Sequence, residues 1–266
     1  MTMKYVVALF LFTFTVKCVF ATEVVFACED QELFPYYMGN VGYVLSEEPG
    51  ISIDMIKMMD EMLDGLDITI VRMPWTRCKY SLQSGLVDGI FNASYKKKRL
   101  KFGRYPTIDN TRDGMVDSSL RLTTLTYSLY TLKGSAPLGW DGNTFTNKHL
   151  RVGAPRGYSI VDDLRKKGIR VSETDKSAQN LKKLLVNRID AVALLDVSGD
   201  SLIKANPVMY RNVEKVKPPL VEKEYYLMLS HQFVNAHTNL ATKIWNTIRI
   251  VRETAFEQLA EKYVAD

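Results

Sequence analysis

Hydrophobic positions along this chain switch repeatedly between a strand period and a helix period. Residues 24–27 (Val-Val-Phe-Ala) form a short apolar run suited to a buried strand, followed by a polar loop and the aromatic cluster Phe34, Tyr36 and Tyr37. Ile53, Ile56, Met59, Met62 and Leu63 then recur at helical spacing, which predicts a helix over residues 51–63 ending near Gly65. Residues 68–73 alternate and are β-branched, predicting a strand. Pro74 suits a helix start, and residues 76–84 form a short helix closed by Gly85. Residues 86–93 are the next strand. An extended stretch over 123–132 interrupts the alternation. A second series follows: strand 150–154, helix 159–167, strand 169–171, helix 177–186 and strand 191–195. A strand over 224–229 and helical sequence over 240–264 close the chain. Strands alternating with helices imply mostly parallel sheet flanked by helices, here as two similar α/β units.

Composition changes this picture little, but charge and the N-terminus narrow the function. The 266 residues are 46% hydrophobic and 24% charged, an ordinary globular balance. Lys4 precedes an apolar run over 5–16, and Val19-Phe20-Ala21 offers small residues at a cleavage site, so residues 1–21 read as a signal peptide. The run has 12 residues, whereas spanning a bilayer needs about 20. The formal charge of +5 falls to +3 once Lys4 and Lys17 leave, with 33 Lys and Arg against 30 Asp and Glu. So small an excess argues against nucleic acid, and the run Lys96-Lys97-Lys98-Arg99 reads as a solvated loop. The expectation is a soluble monomer exported to a Gram-negative periplasm. Cys28 and Cys78 remain as an even pair in an oxidising compartment, and a disulfide between them is expected.

The sequence offers little for catalysis. His149, His231 and His237 lack partners at metal-ligand spacing, and nucleophile-elbow and phosphate-loop motifs are missing. No cofactor or metal is expected. Three strand-to-helix junctions do suit ligand binding, since open α/β sheets bind ligands there. One is the aromatic stretch after the first strand. Another is Asn92-Ala93-Ser94 leading to Arg99, where hydroxyl, backbone and guanidinium donors suit a carboxylate. The third is Gly153-Ala154-Pro155-Arg156-Gly157-Tyr158-Ser159, whose free N–H groups favour an anion.

These junctions carry a resemblance. Pro74-Trp75 with Gly85 and Asp88, Ser94 with Arg99, Gly157-Tyr158-Ser159, and Asn187-Arg188-Ile189-Asp190-Ala191 with Asp196 resemble extracellular solute-binding proteins of family 3 in order and spacing. The likeness covers nearly all of residues 23–266. Lys96-Lys97-Lys98-Arg99 replaces the family's Thr-x-x-Arg, and Asp196 stands one residue farther from Asp190 than usual, which marks a divergent branch. The resemblance implies a two-lobed periplasmic-binding-protein fold of type II with a two-segment hinge. Lobe 1 would be residues 23–124 plus 220–266, and lobe 2 residues 125–219. It further implies a small anionic or amino-acid-like ligand held by Phe34, Tyr36, Trp75, Arg77, Ser94, Arg99, Gly157, Tyr158, Ser159 and Asp196. The partner would be an ABC-type importer in the inner membrane, or a sensor protein. A different reading is a cyclohexadienyl-dehydratase-like enzyme using Glu29, Asp30 or Asp196 as general acid or base.

Overall fold

The structure is a computed structural model and describes residues 21–264. The expected signal peptide lies outside the described residues except for Ala21. The first βα series consists of β1 (Thr22–Glu29), α1 (Ile51–Met62), β2 (Leu66–Met73), α2 (Trp75–Ser84) and β3 (Gly89–Ser94). The second consists of β5 (Arg151–Pro155), α3 (Ser159–Lys166), β6 (Arg170–Thr174), α4 (Ser177–Leu185) and β7 (Ala191–Leu195). Within each series the strands pair in parallel, β2-β1-β3 and β7-β5-β6.

Two long antiparallel strands join the series. β4 (Thr123–Leu132) pairs with β9 (Val221–Leu229) through its first half and with β7 through its second. β9 pairs with β4 from Val221 to Tyr225, then with β3 from Tyr225 to Leu229. The whole forms one path, β2-β1-β3-β9-β4-β7-β5-β6, with the short β8 (Val213–Lys215) added to β4. At the crossover the Tyr225 hydroxyl donates to that of Tyr127 at 3.1 Å, both side chains buried. α6 (His231–Ala236) leads into α7 (Thr238–Val264), which lies along α1. The Tyr263 hydroxyl accepts from the Gly50 N–H at 3.0 Å and donates to Asp54 at 2.8 Å, tying α7 to the start of α1. The chain end therefore returns to the first series.

Most elements stand where periodicity puts them, and the exceptions have local causes. β3 starts at Gly89 rather than residue 86, because the Asp88 carboxylate accepts the Val25 N–H at 2.9 Å and Leu86 points into solvent. α5 (Asp196–Ala205) is unannounced in the sequence, since Ser198 and Gly199 weaken its helical signal. Gly199 is required there by packing: a Cβ would lie 2.3 Å from the Tyr130 ring.

The expected Cys28–Cys78 disulfide is not formed. Both cysteines are free and buried. The Cys78 thiol turns toward the carbonyl oxygens of Cys28 and Met73, 3.4 Å from each. Burial pushes the Cys28 thiol up to about 12 and the Cys78 thiol higher still, so both stay protonated and poorly nucleophilic.

Candidate functional site

The site lies where the two series meet, at the carboxyl ends of β1, β3 and β7. β3 bends before it ends: Asn92 adopts φ +55 and the register against β9 shifts between Ile90 and Ala93. Ser94 is thereby presented at the strand terminus. A 3₁₀ turn over Lys97–Lys101 folds Arg99 back onto it. The Arg99 guanidinium donates to the Ser94 carbonyl at 2.7 Å and its hydroxyl at 3.2 Å, and the Tyr105 hydroxyl donates to that carbonyl at 2.8 Å. Trp75 lies beneath, its ring centroid 5.2 Å from the Arg99 guanidinium carbon, within cation–π range.

The second series closes over this cluster. Gly157 takes φ +74 in the turn before α3, a conformation that glycine adopts without a Cβ penalty. Its carbonyl accepts from Arg99 at 3.2 Å, and a Cβ there would come within 2.7 Å of the Lys79 ammonium. The Ser94 hydroxyl donates to the Ser159 hydroxyl at 2.8 Å, and Lys223 of β9 donates to the same oxygen at 2.9 Å. Tyr158 donates to Glu29 at the end of β1 in a short hydrogen bond. Farther out, Lys96 and Lys223 both pair with Asp163, and Lys98 pairs with Asp162 at 2.6 Å.

Burial sets the protonation of these groups. Desolvation pushes the Glu29 carboxyl up to about 7, only partly offset by the Tyr158 hydrogen bond. Burial, with Arg99 nearby, brings the Lys79 ammonium down to about 8. Burial alone would raise the Asp163 carboxyl, but the Lys223 and Lys96 ammonium groups outweigh it and hold it low.

What remains between the halves is a cavity of about 20 Å³. That is room for about one water molecule and nothing larger. The sequence candidates Trp75, Ser94, Arg99, Tyr158 and Ser159 line it, with Gly157 touching Arg99 beside it. The other four candidates lie elsewhere. Phe34 borders a separate groove with Gln31 and Lys176, and Tyr36 packs into the main core. Arg77 is exposed on the outer side of α2. Asp196 bonds to Lys215 at 3.3 Å, outside the cavity lining. In their places stand Glu29, Tyr37, Tyr127, Tyr225 and Leu195. Tyr127 and Tyr225 are legible only as strand residues until β4 and β9 cross. Among the described side chains that line the cavity, the Trp75 indole N–H is the one buried polar group without a partner.

No family profile matches the sequence, and no curated protein matches it. Solved structures do match. One is a histidine kinase sensor domain with similarity to periplasmic binding proteins, at 17% identity, covering 92% of this chain and 96% of that one, with a TM-score of 0.69. The chain has the periplasmic-binding-protein fold. A P235GK mutant of ArgBP from T. maritima superposes with a TM-score of 0.67 at 18% identity, over 92% of this chain and 96% of its own. The ancestral amino-acid-binding protein AncCDT-1, a precursor of cyclohexadienyl dehydratase, gives 0.64 at 12% identity, over 91% and 94%. Identities this low speak to the fold and not to the ligand. All nine strands of the described residues belong to one sheet, eight of them along a single path and β8 beside β4.

Proposed function

We propose that this protein is an exported solute-binding protein that closes two lobes, residues 23–124 plus 220–266 and residues 125–219, around a small anionic or amino-acid-like solute. β4 and β9 are the hinge, because they are the strands shared by both series. The observation that carries this reading is the convergence of Arg99, Ser94 and Ser159 on one buried cavity beside an unpaired Trp75 N–H. A buried donor without an acceptor is costly, so a ligand oxygen that accepts from the Trp75 N–H recovers what that group forfeits. A cavity of about 20 Å³ cannot hold an amino acid, so binding requires the lobes to part and reclose. The closed protein then presents its solute to an ABC-type importer in the inner membrane, or to a sensor.

Asp196 does not reach the cavity, so a ligand ammonium is met by Glu29, whose carboxylate lines it. Glu29 also supports a second reading, an enzyme of dehydratase type, because a buried carboxyl titrating near 7 suits a general acid. Calorimetric titration of the mature chain with the common L-amino acids and their des-amino dicarboxylate analogues, followed by native mass spectrometry, tests the proposal. Saturable one-to-one binding of at least one probe is expected. Binding of none, with turnover of an acidic substrate dependent on Glu29, transfers the case to the enzyme.

A further inference from the structure

Beside the collapsed Arg99 cavity, and sharing only the Ser94 wall with it, runs a groove of about 670 Å³ along β9. That volume falls within the range of small-molecule sites. Its walls come from both series: Tyr95 and Val116 on one side, Ile160 and Lys166 of α3 on the other, with Leu220 just before β9 and Lys223 within it between them.

The charge in this groove does not balance. The ammonium groups of Lys96 and Lys223 converge on one carboxylate, Asp163, and their side chains are only 16% and 11% exposed. A poorly hydrated site thus holds two cations against one anion. Lys166 and Lys167 stand at the rim, and Lys167 donates to the Asn143 carbonyl rather than to an acid. The other carboxylate present, Glu224, is occupied by the hydroxyls of Ser118 at 2.8 Å and Tyr226 at 2.6 Å. Four ammonium groups therefore face two carboxylates, one of them already bonded to hydroxyls. Buried charge left uncompensated is expensive, and an anion brought into the groove relieves it.

We infer that this groove is a second binding site, for an elongated organic polyanion. One anionic group reaches Lys96 and Lys223, another meets Lys166 and Lys167, and the body lies over Val116, Ile160 and Leu220. Carboxylate and phosphate groups both satisfy lysine ammonium ions, so the chemistry is shared between those two sources. Because the walls belong to both series, the occupant favours the arrangement in which they meet.

The experiment titrates the full mature chain separately with citrate and with pyrophosphate, by calorimetry at low ionic strength. At least one probe is expected to bind one to one, and which one binds separates carboxylate from phosphate. The double substitution K166Q/K167Q changes side chains at the rim, and urea unfolding of the variant checks that it is folded. It should weaken that binding about tenfold or more, as loss of charge-assisted contacts implies. R77A should leave it within about twofold, since Arg77 is exposed on the outer side of α2 and lines neither cavity. Failure of both probes to bind the folded wild type overturns the inference. So does equal binding by the double variant, or an equal loss in R77A. Amino-acid binding at the Arg99 cavity is read in a separate titration, so the two sites stand or fall independently.

Discussion

The hydroxyl of Ser94, at the last residue of β3, donates to the hydroxyl of Ser159, at the first residue of α3, across 2.8 Å. These residues are 65 positions apart and belong to different βα series. Their meeting closes the Arg99 guanidinium off from solvent, leaving it 4% exposed. A carboxylate entering here must separate the two hydroxyls and then accept from them and from Arg99.

Arg99 should therefore dominate affinity. Arg99→Ala is expected to weaken binding of whichever amino-acid or dicarboxylate probe binds the wild type by about 2–4 kcal/mol, a buried anion having lost its charged partner. Arg99→Lys should recover only part of that, because an ammonium cannot reproduce the planar fork. Calorimetry of the three proteins checks this; equal affinity for wild type and Arg99→Ala places the anion elsewhere.

Glu29 should make stability depend on pH. Its folded value near 7 lies above the ordinary carboxyl value of 4.5, so the folded protein holds this proton more tightly than the unfolded chain. The contribution is fully present below about pH 4.5 and is lost as pH rises through 7, about 3 kcal/mol in all. Glu29→Gln mimics the protonated form. Urea unfolding should find it close to wild type at pH 5 and more stable at pH 8, by about 2–3 kcal/mol. A difference independent of pH between those values would contradict the assignment.

The two buried thiols should be silent until the protein unfolds. With their thiolates strongly disfavoured, Cys28 and Cys78 are expected to resist iodoacetamide at pH 8 in the folded mature chain. Both should alkylate once urea exposes them, adding two labels by intact mass. Finding no label after unfolding without reductant would reveal a disulfide instead.

Gly50 should tolerate no side chain. It precedes α1 with φ +114, and a Cβ there would lie 2.6 Å from the backbone of Tyr36 and Tyr37. Neither neighbour is a side-chain end that can swing away. Gly50→Ala is expected to cost about 3 kcal/mol or more, from overpacking together with backbone strain. Thermal unfolding should show the loss, and Gly134→Ala is the control for backbone strain alone, because φ there is +75 while a Cβ meets nothing within 4 Å; it should cost only about 1 kcal/mol.

Much of this protein is legible in its sequence alone. The 3.6-residue recurrence from Ile53 to Met62 and the alternation from Ile68 to Met73 determine their elements locally, because helix and strand periods differ. The glycine after α2 and the proline before it mark that helix for reasons of backbone geometry. Ser94 with Arg99, and Gly157 through Ser159, stand out in the sequence because they end strands and open helices, where backbone donors stand free, and the fold brings them together where the two series meet. What the tertiary structure alone decided was which side chains share a space. Asp196 and Arg77 have fitting chemistry but face other surfaces, since α5 turns Asp196 toward Lys215 and α2 points Arg77 outward. Tyr127 and Tyr225 read as ordinary strand residues until β4 and β9 cross. The state of the cysteines was likewise beyond the sequence, because disulfide formation depends on the direction of two Cβ vectors and not on parity. Local pattern is set by neighbours along the chain, whereas a binding site is set by neighbours across it.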